Sequence, residues 1–109
     1  MPTIYKVLGQ SAPSATTATT LYTVPSATDT VVSSIVVANR DATAATFRIA
    51  IRPAGATLAN QHYIAYDVTV GASDSTVLTL GLTLDATDVI TVYASTANLS
   101  FSAYGSEIS

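Results

Sequence analysis

Cysteine and tryptophan are missing from this 109-residue chain, and histidine, lysine and glutamate each occur once. Without cysteine there is no disulfide scaffold, no thiolate metal site and no cysteine nucleophile, and the redox compartment stays open because a thiol-free protein tolerates either side. Charge is scarce too: 10% of residues are charged, against about 25% in ordinary soluble domains. Four basic residues and a net charge of −3 offer nothing to neutralise a run of phosphates, so no nucleic-acid partner is expected. No apolar run approaches the roughly 18 residues that span a bilayer, and no membrane association is expected. The opening MPTIYKVLGQ has no apolar core of a secretory leader, which points to synthesis in a cytoplasm without an export address.

What is present is small and β-prone. Threonine and alanine each occur 18 times, serine 12 and valine 11. Threonine and valine favour strands, and the usual helix formers are too sparse to build helices. Hydrophobic residues make up 49% of the chain, too many for a disordered segment. The length fits one domain, residues 1–109, with a single core.

Period-two alternation marks eight short strands. Ile4–Gly9 comes first, followed by Gln10–Thr20, eleven small and polar residues without an apolar anchor. Leu21–Val24 ends at Pro25, and Thr30–Asn39 is apolar on both faces, as a central strand should be. Ala45–Arg52 is amphipathic, with Ala45, Phe47, Ile49 and Ile51 facing inward and Thr46, Arg48, Ala50 and Arg52 outward. In Gln61–Val70, alternation sets Ile64, Tyr66, Val68 and Val70 inward and Tyr63 outward. Val77–Leu84 places Leu78, Leu80, Leu82 and Leu84 on one face. Asp88–Ser95 and Leu99–Tyr104 complete the set.

Strands at intervals of about ten residues, with no helix between them, specify an all-β antiparallel β-sandwich of seven to eight short strands, jelly-roll or Ig-like, with under one turn of helix. The core should hold Phe47, Ile49, Ile51, Leu78, Leu80, Leu82, Ile90, Val92 and Phe101. Three similar triplets, Ala27-Thr28-Asp29, Ala72-Ser73-Asp74 and Ala86-Thr87-Asp88, each precede an apolar strand. Their spacings of 45 and 14 residues differ, so they read as turns capped by an aspartate side chain and not as a repeat.

Candidate chemistry is thin. His62 has no G-x-S-x-G elbow to serve and falls inward beside Ile64, the place of a structural imidazole. Asp85 and Asp88 offer two oxygen ligands where a calcium loop needs many, and Asp67 and Asp74 carry no glycosidase signature. Asn98-Leu99-Ser100 matches a glycosylation acceptor only at a strand start. No catalytic, metal-binding or cofactor-binding residue is expected, and no cofactor. Arg40, Arg48 and Arg52 gather three of the four cations within thirteen residues. They serve either as a solvated or acid-paired outer face or as a contact for carboxylates of another subunit. Six scattered tyrosines do not suggest a sugar platform, since Tyr63 and Tyr66 fall on opposite faces of their strand.

The segments KVLGQ, LYTVP, FRIAIRPAG, LANQHYIAYD and LDATDVITVYASTANLSFSAYGSE together resemble the small virion proteins of tailed bacteriophages and cyanophages. The resemblance runs from Lys6 to Glu107 and is most specific over Arg52–Asp67. It implies a non-enzymatic particle component, made in the host cytoplasm and located in the virion. A capsid cement or decoration protein comes first. A tail, neck or fibre component, including a carbohydrate- or receptor-binding sandwich, is the alternative. Implied partners are other virion proteins, the major capsid protein or tail and neck subunits, together with copies of the chain itself. A surface so poor in charge does little to keep copies apart, so self-association is expected. Candidate contact residues are Arg40, Arg48, Arg52 and, on an outreaching arm at 10–20, Ser14, Thr16 and Thr17.

Overall fold

The computed structural model describes residues 2–109. Eight antiparallel strands form two four-stranded sheets: β1 (Thr3–Ser11), β2 (Thr19–Thr23), β3 (Asp29–Asn39), β4 (Ala45–Arg52), β5 (Tyr63–Val70), β6 (Ser75–Leu84), β7 (Val89–Ala94) and β8 (Leu99–Ile108). One sheet runs β1-β8-β3-β6 and the other β2-β7-β4-β5. The first four strands pair with the last four in reverse order, β1 with β8, β2 with β7, β3 with β6 and β4 with β5. The chain is thus one long hairpin with its tip at the β4–β5 connection, rolled so that β3 also meets β8 and β4 meets β7. That order is a jelly roll, and it removes the Ig-like alternative, whose sheets divide seven strands as four and three. Among the described residues there is no α-helix. Two short 3-10 turns, Pro53–Gly55 and Asn60–His62, lie in the β4–β5 connection, slightly more helical backbone than the sequence suggests.

The core forms where the inner faces of both sheets meet. Phe47, Ile49, Ile90 and Val92 from one sheet close on Val32, Ile35, Val37, Leu99 and Phe101 from the other, all but fully buried. The rings of Phe47 and Phe101 meet edge to face at 6.1 Å, a favoured aromatic geometry. Five of the nine expected core residues are fully enclosed. Ile51, Leu78 and Leu82 pack against the core from partly buried positions, and Leu80 is exposed. Leu80 is lost because β6 is an edge strand with an extra residue: Val32 faces Leu82 while Ser34 faces Thr79, a bulge that breaks the alternation at Leu80 and Gly81.

Strand ends differ from the periodic reading in both directions: β5 and β7 are shorter, starting at Tyr63 and spanning Val89–Ala94, while β1 and β8 are longer. β8 continues four residues past Tyr104 through Gly105 to Ile108, and β1 reaches Ser11. Both extensions lie in weakly β-prone sequence and exist because β8 is flanked on both sides, by β1 and β3. The segment expected to reach outward is correspondingly shorter. Gln10 and Ser11 pair with Ser102 and Phe101, Pro13 is buried, and the Thr16 amide donates to the Ala94 carbonyl at 2.8 Å. What remains between β1 and β2 is a laced turn, not an arm.

The loops at that end of the sandwich are stitched to one another. Asn39, buried at the end of β3, directs its amide nitrogen at the carbonyls of Thr43, Val70 and Gly71. The Arg40 amide donates to Asn98 and the Ser73 amide to Asp41. Two of the three aspartate triplets cap as expected: Asp74 accepts from the Ser75 amide, and Asp88 accepts from the amides of Asp85 and Ala54. Asp29 instead opens β3.

Candidate functional site

The two outer faces of the sandwich are chemically unlike. On the β1-β8-β3-β6 sheet, alternation and register turn outward Tyr5, Val7, Val31, Val36, Val77 and Tyr104, set among Ser33, Ser34, Thr79, Ser100, Ser102 and Ser106. Among the described residues, alternation turns no charged side chain outward between Asp29 at one end of β3 and Arg40 at the other; Lys6, which borders the face, pairs with Glu107 at 3.4 Å. Tyr5 is 83% exposed and Val77 59%. A shallow groove crosses this face between Tyr5 and Tyr104, over Val31 and Gly105, with Lys6 in its lining.

The β2-β7-β4-β5 sheet carries the charge. Its outer face is partly roofed by the β4–β5 connection, which buries Ala50, Val89 and Thr91 although all three point away from the core. Arg52 holds that roof down. Its Nε donates to Thr91 Oγ1 at 3.0 Å, and a terminal guanidinium nitrogen donates to the carbonyls of Gly55 and Ala56. His62 lies under the same connection in a 3-10 turn, not on a strand beside Ile64. Its Nδ1 accepts from the Ala59 amide at 3.1 Å, which puts the ring proton on Nε2. Ile64, expected inside, is 45% exposed.

Beyond the roof lies a cluster that period-two alternation conceals. β5 gains an extra residue twice against β4: Phe47 faces Val68, Ile49 faces Ala65 and Ala50 faces Tyr63. Asp67 adopts a left-handed φ of 53° at one of these bulges, a conformation that aspartate tolerates better than most residues. Its effect is to turn Tyr66 outward, so that Tyr63 and Tyr66 share one face with ring centroids 5.0 Å apart and planes at 88°. The expectation of opposite faces therefore fails, and Tyr66 is 57% exposed. Arg48 completes the group. Its guanidinium lies over the Tyr66 ring at 4.1 Å and the Tyr93 ring at 4.4 Å, and its Nε donates to Asp67 Oδ1 at 2.7 Å. The hydrogen bond and charge of Asp67 raise the Arg48 guanidinium further above its ordinary range. The sequence signal was Tyr-x-x-Tyr-Asp in a strand, a spacing that joins two rings on one face only through a bulge.

The other candidate contact residues do not assemble into one patch. Arg40 spends its guanidinium on Ser100 Oγ at 2.8 Å and the Ala97 carbonyl at 3.0 Å. The Thr16 and Thr17 hydroxyls donate to the Ala15 carbonyl, while Ser14 is exposed. Each arginine serves its own neighbourhood of the fold.

A third polar group lies at the open end of the sandwich, where Glu107 points between the sheets. It accepts from the Tyr22 hydroxyl and from Lys6 Nζ, the latter at 3.4 Å, and Thr30 Oγ1 lies 2.9 Å from the same tyrosine oxygen. Burial first, then the Glu107 carboxylate, pushes the Tyr22 hydroxyl up to about 12. Between its ordinary value of 10.0 and about 12, the folded chain holds a proton that the unfolded chain has lost. The stability contribution is therefore whole below pH 10 and declines as pH rises toward 12. Urea midpoints measured across that interval should fall more steeply for the native chain than for Tyr22→Phe, and equal slopes would refute the linkage.

Among the described residues, no group of three or more His, Cys, Asp or Glu side chains could hold a metal ion, and every buried side-chain nitrogen or oxygen has a partner. Set against protein-family models, curated proteins and solved structures, the chain matches none.

Proposed function

We propose that this protein is a non-enzymatic structural component of a bacteriophage particle, a cement or decoration subunit that binds other virion proteins and its own copies. The observation carrying this reading is the uncharged outer face of the β1-β8-β3-β6 sheet. Charged side chains resist interface burial most, whereas valine is buried readily and serine and threonine hydroxyls can be buried where the partner supplies a hydrogen bond. Tyr5 supplies a large, amphipathic anchor of the kind enriched at binding hot spots. The fold is consistent, since jelly rolls recur in viral capsid domains, although a fold by itself assigns no function. Contact through this face replaces the arginine-led contact suggested by the sequence, because Arg40, Arg48 and Arg52 are engaged within the chain.

Mass spectrometry of purified particles of the encoding phage, with immunogold labelling, should find the chain on the capsid in many copies. Tyr5→Lys and Val77→Lys should keep the melting temperature of the isolated domain, since both side chains are exposed. Each should cut incorporation roughly tenfold or more, the equivalent of about 1.4 kcal/mol of contact energy. A chain missing from the particle, or lysine variants that incorporate normally, would sink the proposal. Label confined to the tail would overturn the capsid position.

A further inference from the structure

We propose that the Tyr63–Tyr66 corner on the opposite sheet is a binding site for a neutral saccharide. The two rings stand at 88° with centroids 5.0 Å apart, forming two walls of a depression whose remaining side is Asn60. A pyranose presents an apolar C–H face beside a rim of hydroxyls. One ring of the corner can take the C–H face while polar groups take the rim, the usual division of labour in a small-ligand site.

The polar groups are at hand. Among the described residues, no side-chain hydrogen bond within the chain engages the Asn60 amide or the phenol hydroxyls of Tyr63 and Tyr66, and all three residues line the depression. Asp67, next in sequence to Tyr66, gives Oδ1 to Arg48 at 2.7 Å but holds Oδ2 at 3.4 Å from the guanidinium, which leaves lone pairs for ligand hydroxyls.

The same contacts argue against other ligand classes. Arg48 is neutralised by Asp67, so the corner offers no unpaired cation for a carboxylate or phosphate. The slot between Tyr66 and Tyr93 that would receive a quaternary ammonium is filled by the Arg48 guanidinium at 4.1 and 4.4 Å, the arrangement of an occupied cation–π site. A peptide adding to the β5 edge would meet two bulges and Asp67 at φ 53°, which break the ladder that strand addition requires. Arg48 also fixes Tyr66 before any ligand arrives, which reduces the ordering cost of binding.

This site is independent of the particle-binding face and does not rest on it. The test is a titration of the isolated, isotope-labelled chain, followed by amide NMR shifts. The probes are neutral trisaccharides of glucose, mannose, galactose and N-acetylglucosamine, with sialyllactose as the anionic control. At least one neutral probe should shift the amides of Asn60, Tyr63, Tyr66 and Asp67 with millimolar affinity, corresponding to about −4 kcal/mol. Tyr66→Ala should weaken that binding roughly tenfold or more, about 1.4 kcal/mol, while the amide spectrum away from the corner stays that of the folded chain. Val77→Lys, on the other sheet, should bind as the native chain does. No shift with any neutral probe, shifts indifferent to Tyr66→Ala, or binding of sialyllactose alone would each overturn the proposal. None of these outcomes bears on incorporation into particles.

Discussion

Phe47→Ala should lower the unfolding free energy by about 3–5 kcal/mol, the range for deleting a fully buried ring. Phe47 is 0% exposed and sits on β4, an inner strand of its sheet. It meets Phe101 edge to face at 6.1 Å across the space between the sheets. The substitution removes a ring from a close-packed interior and leaves Phe101 without its aromatic partner, so lost transfer energy and an unfilled cavity add. Neither sheet can close the gap without breaking its ladders. Urea denaturation followed by tyrosine fluorescence reads the change directly. A loss under about 1 kcal/mol would mean that the site collapses around the hole or that Phe47 lies at the edge of the core. Because a domain of this size holds only about 5–15 kcal/mol in total, the variant should melt many degrees earlier.

Gly105→Ala should cost about 3 kcal/mol, at the upper end for forced overpacking, although only one methyl group is added. A Cβ at this position would overlap the Val31 carbonyl oxygen and come within 3.0 Å of the Val31 carbonyl carbon and the Val32 Cα. All three are backbone atoms, so no side chain can swing aside. β8 would have to pull away from β3 where Gly105 pairs with Val32 and Lys6, loosening the middle of its sheet. Gly81 provides the contrast. It has φ +61°, but an added methyl there would meet nothing within 4 Å, so Gly81→Ala should cost only the left-handed backbone penalty, about 1 kcal/mol. Paired denaturation curves test both. Equal losses would show that β8 shifts to admit the methyl group and that the close approach of β3 does not set a large cost at Gly105.

The positions of Phe47 and Gly105 differ in how far they could be read from residues alone. Phe47 announces itself, since Ala45–Arg52 alternates without interruption and every inward residue is apolar. Gly105 does not, because a glycine after Tyr104 looks like the end of a strand. Only the pairing of β8 with both β1 and β3 shows that the strand continues and that Val31 leaves no room for a side chain. Tyr63 and Tyr66 make the same point from the other side. Three residues apart on a regular strand they must face opposite ways, and they share a face because β5 carries extra residues against β4.

Composition and period-two alternation by themselves determined an all-β domain, the two-sheet sandwich and most of its core, including Phe47, Ile49, Ile90, Val92 and Phe101. They could do so because burial of one strand face is a local pattern: each inward position is apolar whatever its partner. The jelly-roll order, the bulges, the exposed Leu80 and the arginine–tyrosine cluster were decided only in three dimensions. A bulge depends on register against another strand, and register is a relation between segments far apart in the chain. The sequence could therefore place Arg48 outward on one strand and Tyr66 inward on another, while only the packed sheet brought the arginine between two rings.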